Sequence, residues 1–128
     1  MIVLDTHAWV WWATESKQLS MRARRAIAES DALGISVISC WEVAMLVEKG
    51  RLGFNQSTEL WIERALEFPA FTVLPLTPVI ATMAARLPAP FHGDPADRII
   101  AATCLKIEAQ LVTKDRALRR WRHLSTIW

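Results

Sequence analysis

Short apolar runs alternate with amphipathic stretches along the whole chain, and this alternation constrains the fold more than any other feature. "IVL" (2–4), "LGISVI" (33–38), "FTVLPL" (71–76) and "QLVT" (110–113) are short enough and apolar enough to read as buried strands. "LSTIW" (124–128) is a candidate fifth. The segments between them read as helices. One follows Asp5, with Trp9, Trp12 and Ala13 available for one face. Another is capped by Ser20 and carries Arg22 and Arg25 on a basic face. A third, "SCWEVAMLVEKG", is expected to be capped by Ser39, with Glu42 closing a capping box and Gly50 ending it. "TELWIERALEF" sets Trp61, Ile62, Ala65 and Leu66 on one stripe, and "PVIATMAARL" has Pro78 near its start. After the loop "PAPFHG", a helix runs from Asp94 to about Ala109, and "DRALRRW" is a short one. Strands that alternate with helices in this way form a parallel sheet covered on both faces, and such sheets bind ligands beyond the carboxyl ends of their strands.

The 128 residues are expected to make one domain spanning 1–128, with no repeat, linker or low-complexity tract. Apolar residues are 52% and charged residues 22%, as in a globular protein. A net charge of +2 neither requires nor excludes a nucleic-acid partner. No apolar run is long enough to span a bilayer, and the start has Asp5 inside its apolar stretch and no basic leader, unlike a signal peptide. Cys40 and Cys104 sit in apolar helical segments and read as thiols of a reducing cytoplasm. Seven tryptophans stand against no tyrosine, for which the sequence offers no physical reason.

Four of the thirteen acids share one topological place. Asp5 follows the first strand, Glu42 lies in the first turn of the helix after the second, Asp97 lies in the first turn of another helix, and Asp115 comes two residues after the fourth strand. Capping explains each one singly. It explains the set poorly, because carboxylates gathered on one edge repel unless a cation joins them. Asp94 is ambiguous between helix cap, with Pro95 at the first helical position, and a place at the metal. The remaining acids fall along helices and read as solvated charge. Oxygen donors without cysteine or histidine spacing select a hard divalent cation, Mg²⁺ or Mn²⁺. The matching chemistry is hydrolysis of a phosphodiester by a water that the metal activates. His7, His92 and His123 lack zinc spacing and read as surface or loop residues, no nucleophile motif is present, and there is no glycine-rich phosphate loop.

Arg98 is equally suited to a substrate phosphate and to bracing a carboxylate. Lys114 and Arg116 open the densest basic run, "KDRALRRWRH", which reads either as a solvated helix face or, near the acidic edge, as a stretch that steers a nucleic acid. Within it Trp121 reads as core. A receiver-like Mg²⁺-binding regulatory module is a competing reading of the acids, but it would carry adjacent acids after the first strand, and Asp5 stands alone.

"VLDTHAWVWW", "SVISCWEVAMLVEKGRL", "LPAPFHGDPADRIIAA" and "LVTKDRAL" together resemble the PIN-domain ribonucleases, in particular the VapC-type toxins of bacterial toxin–antitoxin modules, in order and spacing over nearly the whole chain. The resemblance implies a three-layer α/β/α domain with a central parallel sheet of four to five strands. It also implies a metal-dependent endoribonuclease, commonly a homodimer, restrained by a small cognate antitoxin protein. Matched by motif, Asp5, Glu42, Asp97 and Asp115 are the implied metal ligands, Ser39 and Thr113 are hydroxyls beside them, and Thr6 lies next to the site. His7 stands where many members carry Asn. An RNA-processing nuclease of the same fold without a toxin role fits the same residues.

Overall fold

A computed structural model describes all residues, Met1–Trp128. The elements in chain order are β1 (Ile2–Leu4), α1 (Thr6–Ala13), α2 (Met21–Glu29), β2 (Leu33–Ser36), α3 (Val37–Glu48) and α4 (Thr58–Ala65). They continue with β3 (Phe71–Leu74), α5 (Pro78–Ala85), α6 (Pro95–Ile107), β4 (Gln110–Val112), α7 (Arg116–Arg120) and β5 (Thr126–Ile127). The five strands form one parallel sheet in the order β3-β2-β1-β4-β5, as the alternation of the sequence predicts. The chain winds outward from β1 through β2 to β3, then returns to β4 on the other side. The winding therefore reverses between β1 and β4, which is where such sheets open a crevice at their carboxyl edge.

Successive strand residues point to opposite faces, and the core divides accordingly. Leu4, Leu33, Ile35, Val112 and Ile127 pack with Trp9 of α1, Ala23 and Ile27 of α2, and Trp61 of α4. On the other face Val3 and Leu111 pack with Ile100, Ala101 and Cys104 of α6 and with Leu118 and Trp121. Ile80 and Ala84 of α5 close on Ala102, so α5 lies against α6. Trp121 is core, as its reading predicts. Cys104 is buried, Cys40 is half-buried, and both are free thiols. Trp9 is wholly buried and its ring lies 5.3 Å from that of Trp61, which in turn stacks on Phe54 at 4.2 Å. Trp9→Ala is expected to cost about 3–5 kcal/mol, because the cavity lies under α1 and α4 and neither can collapse into it. Chemical denaturation measures this directly.

Three strands end earlier than their apolar runs suggest. β2 stops at Ser36, β3 at Leu74 and β4 at Val112. The first shortening has a clear cause. Ser36, not Ser39, caps α3, with its side chain accepting from the Ile38 N–H at 3.3 Å. "VIS" thus belongs to the helix, and α3 starts at once from the strand with no loop. Gly50 terminates the segment in the left-handed region at φ 70°, as expected. α6 ends at Ile107, two residues short of expectation, with Glu108 itself in the left-handed conformation. No helix is long and apolar enough to cross a membrane.

Candidate metal centre

The crevice between β1 and β4 is an acidic cleft of about 460 Å³ lined by Asp5, Glu42, Asp94, Asp97 and Asp115, with Thr6, His7, Trp11 and Lys114. All four acids of the sequence reading meet here, and Asp94 joins them. Three of them double as helix caps, so the local and the collective readings are both realised. Asp5 leaves β1 and caps α1, accepting from the Ala8 N–H at 2.9 Å. Its own N–H donates to the Val112 carbonyl at 3.1 Å, which ties the end of β1 to the end of β4. Asp94 caps α6, accepting from the Asp97 N–H at 3.1 Å, and Pro95 follows at the first helical position. Asp115 caps α7, accepting from the Leu118 N–H at 2.9 Å, while its own N–H donates to Thr113 Oγ1 at 3.1 Å. Each cap fixes a carboxylate at the start of a helix, and the parallel topology brings those starts together.

Glu42 reaches the cleft by another route. Because α3 begins at Val37, Glu42 is its sixth residue and lies in the second turn, so it closes no capping box. Ser39 is a wholly buried helix residue. Its hydroxyl lies 3.0 Å from Thr6 Oγ1, and Thr6 is also bonded to Glu42 Oε1. Thr6 has one proton to give. The carboxylate takes it, and Ser39 donates the other bond. The two hydroxyls thus aim Glu42 from beneath, with Thr6 almost wholly buried as well.

The electrostatics of the cleft follow from crowding. Burial pushes Asp5 up to about 6, against the pull of the Thr113 hydroxyl, the Ala8 N–H and His7. Burial also pushes Asp97 up to about 7, and the charges of Asp94, Asp115, Glu42 and Asp5 all push in the same direction. Asp97 is therefore the carboxylate on which the field of the other four converges. Of the lysines and arginines, only Lys114 enters the lining, with its Nζ 5.7 Å from the Trp11 ring. Lys114 is thus placed where its sequence reading set it, but Arg116 faces a different cleft.

His92 is the site residue that sequence reasoning missed. Its Nε2 lies 3.3 Å from Asp97 Oδ2, and single ligand atoms of His92, Asp97 and Asp115 all lie within 4.8 Å of one another. Nδ1 accepts from the Asp94 N–H at 3.3 Å, which leaves the ring proton on Nε2, facing Asp97. The buried Nε2 faces Asp97 at ion-pair distance and has no hydrogen-bond partner in the protein. Only a turn just ahead of a capped helix marks it in the sequence, and that signal does not say where the ring points.

Arg98 departs from the carboxylate-bracing role that the sequence offered it. It touches neither a carboxylate nor the lining of the cleft. Its guanidinium donates to the carbonyls of His92, Ala84 and Phe91 at 2.9, 3.0 and 3.3 Å, and lies 5.4 Å from the Phe91 ring. These bonds pin the loop before α6 and so hold His92 in place. The loop's carbonyls turn inward, and a local sequence pattern cannot reveal that.

The residues present fit a hard divalent cation. Five carboxylate side chains share one cleft, two of them are pushed well above the usual carboxylate range, and no soft sulfur donor lines the cleft. A positive ion relieves the repulsion that burial and crowding create.

A parallel sheet that gathers carboxylates at its winding reversal is the architecture of PIN domains, and the chain belongs to that family, whose profile matches residues 2–124. It is 40% identical over 129 residues to Ribonuclease VapC22 of Mycobacterium tuberculosis, covering 99% of this chain and 98% of that one. VapBC2 of Rickettsia felis, solved bound to a promoter DNA fragment, superposes with a TM-score of 0.73 at 17% identity, over 98% of this chain and 97% of that one. VapC20 of M. tuberculosis, described as a sarcin–ricin loop cleaving toxin, gives 0.65 at 18% identity over 86% and 85% of the two chains. At these identities the two structures speak for the fold.

Proposed function

We propose that this protein is the toxin of a toxin–antitoxin module, an endoribonuclease that hydrolyses RNA phosphodiester bonds with the help of Mg²⁺ or Mn²⁺. The observation that carries the reading is the convergence of Asp5, Glu42, Asp97 and Asp115 on one cleft, in a chain 40% identical to a VapC ribonuclease. These four acids would hold the cation, with Asp94 chiefly the cap that aims Asp97. The cation would supply an activated water and neutralise charge on the phosphate. The chain's own residues do the rest. Thr6 and Ser39 fix the rotamer of Glu42, and Thr113 holds the Asp115 backbone. His92 faces the carboxylate on which the repulsion converges, its Nε2 3.3 Å from Asp97 Oδ2. Lys114 stands at the rim of the cleft, where it would meet a substrate phosphate.

A toxin is restrained by a small cognate antitoxin, and the neighbours that superpose on this chain include a VapBC complex. A second copy of the chain is the other expected partner, and Trp41, 55% exposed on α3, offers apolar surface for one. The cytoplasm is the expected compartment, since RNA and the antitoxin meet there and both cysteines are free.

The test uses antitoxin-free protein and total cellular RNA in parallel reactions with Mg²⁺, Mn²⁺ or EDTA, with Asp97→Asn alongside. Discrete fragments that need a divalent cation and vanish in the variant support the reading. Their ends identify the RNA. Folded protein that binds the cation and leaves every RNA intact would point to a binding module instead.

A further inference from the structure

A second cleft, of about 440 Å³, is lined by Arg22, Arg116, Arg119, Arg120, Thr126 and Trp128. Four guanidinium groups thus converge from two elements, α2 and α7, and no acid lines the cleft. None of the four has an ion-pair or hydrogen-bond partner in the protein, whereas Arg24, Arg64 and Arg98 are all hydrogen-bonded. Favourable charge at a helix end accounts for Arg119 and Arg120 in the last turn of α7. It does not account for Arg116, which sits at the opposite, positive end of that helix, or for Arg22, which comes from another part of the chain. Like charges gathered without a counter-charge are an anion site in waiting.

The cleft adjoins the acidic one. Trp11 lines the acidic cleft, and its ring lies 5.9 Å from that of Trp128, which lines the arginine cleft. Lys114 lies over Trp11 on the same path. α7 makes a second link, because Asp115 at its cap faces the acids while Arg116, Arg119 and Arg120 face the arginine cleft. At 1.5 Å of rise per residue, Arg120 lies roughly 7.5 Å along the helix from Asp115.

We propose that the arginine cleft is a phosphate-binding subsite that holds the RNA strand beyond the bond to be cleaved. Planar guanidinium forks suit phosphate oxygens, and the Trp11–Trp128 pair supplies an aromatic surface on which a base can stack between the two clefts. The subsite rests on the nuclease reading for its substrate. It adds affinity and register, with the bond-breaking residues left in the acidic cleft.

The test separates the two ideas. The probe is a short fluorescent single-stranded RNA, titrated in EDTA so that nothing is cleaved, over a range of salt concentrations. In Arg22→Gln/Arg119→Gln/Arg120→Gln the affinity is expected to fall by about tenfold or more, and the log–log salt slope to shrink by about 2, at ~0.7 for each phosphate no longer neutralised. Hydrolysis of bis(p-nitrophenyl) phosphate in Mn²⁺, which is too small to reach the second cleft, should be unchanged. The three side chains are exposed and unpartnered, so the fold should survive, and Arg119→Glu alone provides the same measurement at one position. Unchanged RNA affinity and slope, with ester hydrolysis intact, would overturn the subsite and leave the nuclease reading standing. A protein without ester or RNA hydrolysis under any cation would overturn the nuclease reading, while the EDTA titration would still report on the cleft. Loss of affinity for polyglutamate in the triple variant, with RNA binding unaltered, would assign the cleft to an acidic protein segment and also overturn the proposal.

Discussion

Asp97→Asn is expected to stabilise the metal-free protein while abolishing its activity. The native carboxylate is pushed up to about 7 by burial first and then by Asp94, Asp115, Glu42 and Asp5. An amide of the same shape removes the charge on which those four converge. Above pH 7 the melting temperature without metal should rise by several degrees, at about 4 °C per kcal/mol for a domain of this size. RNA cleavage should fall by about 10³-fold, more than the ~10–100-fold that loss of a group merely supporting a ligand costs. Glu108→Gln, on the C-cap of α6 and outside the cleft, should change neither quantity appreciably. A variant that is less stable and still active would show that Asp97 is structural. Calorimetric melting and a cleavage time course on the same preparations make the comparison.

The second large effect is a dependence of stability on pH that a divalent cation reverses. Asp5 and Asp97 both have native values raised above 3.8, to about 6 and about 7. A raised carboxyl favours the protonated native state. Its contribution is present below the unfolded value and is lost as the pH climbs through the native one. Metal-free protein should therefore lose stability between pH 4 and pH 8. Asp5 alone, rising from 3.8 to about 6, accounts for about 3 kcal/mol at ~1.36 kcal/mol per pH unit. Saturating Mg²⁺ binds only the ionised carboxylates, so it should restore stability at pH 8 and do almost nothing at pH 4. Denaturant unfolding at several pH values, with and without Mg²⁺, reads both limbs. Stability that rises with pH in EDTA would mean that the acids are already neutralised by the protein itself.

Much of the site was visible in the sequence because topology converts position along the chain into position in space. Once the alternation fixes a parallel sheet, an acid just after a strand must lie at its carboxyl edge, and Asp5 and Asp115 do. Asp94 and Pro95 mark a helix start in any fold, and that start carries Asp97. What the sequence hid depended on choices between local equals. "GISVISC" offers two serines as caps, and the deciding factor was the burial of Ser39 against Thr6, thirty-three residues away. That choice moved α3 and placed Glu42 one turn further into the helix than expected. His92 and Arg98 were illegible for a related reason. Their roles depend on a loop that folds inward over α6, and a loop of proline, alanine and glycine leaves no periodic trace. The arginine cleft needed Arg22 and α7 to meet across almost a hundred residues, so a basic run read in isolation found only half of it.

A titration of Mn²⁺ into the metal-free protein at pH 8, followed by calorimetry, bears most directly on the proposal that the acidic cleft is a metal centre. The unsubstituted protein should bind, Asp97→Asn should lose most of that affinity, and Asp94→Asn should retain it apart from the small cost of a weakened cap. Equal affinity in the protein and in Asp97→Asn would contradict that proposal, and with it the assignment of the cleft to phosphodiester hydrolysis.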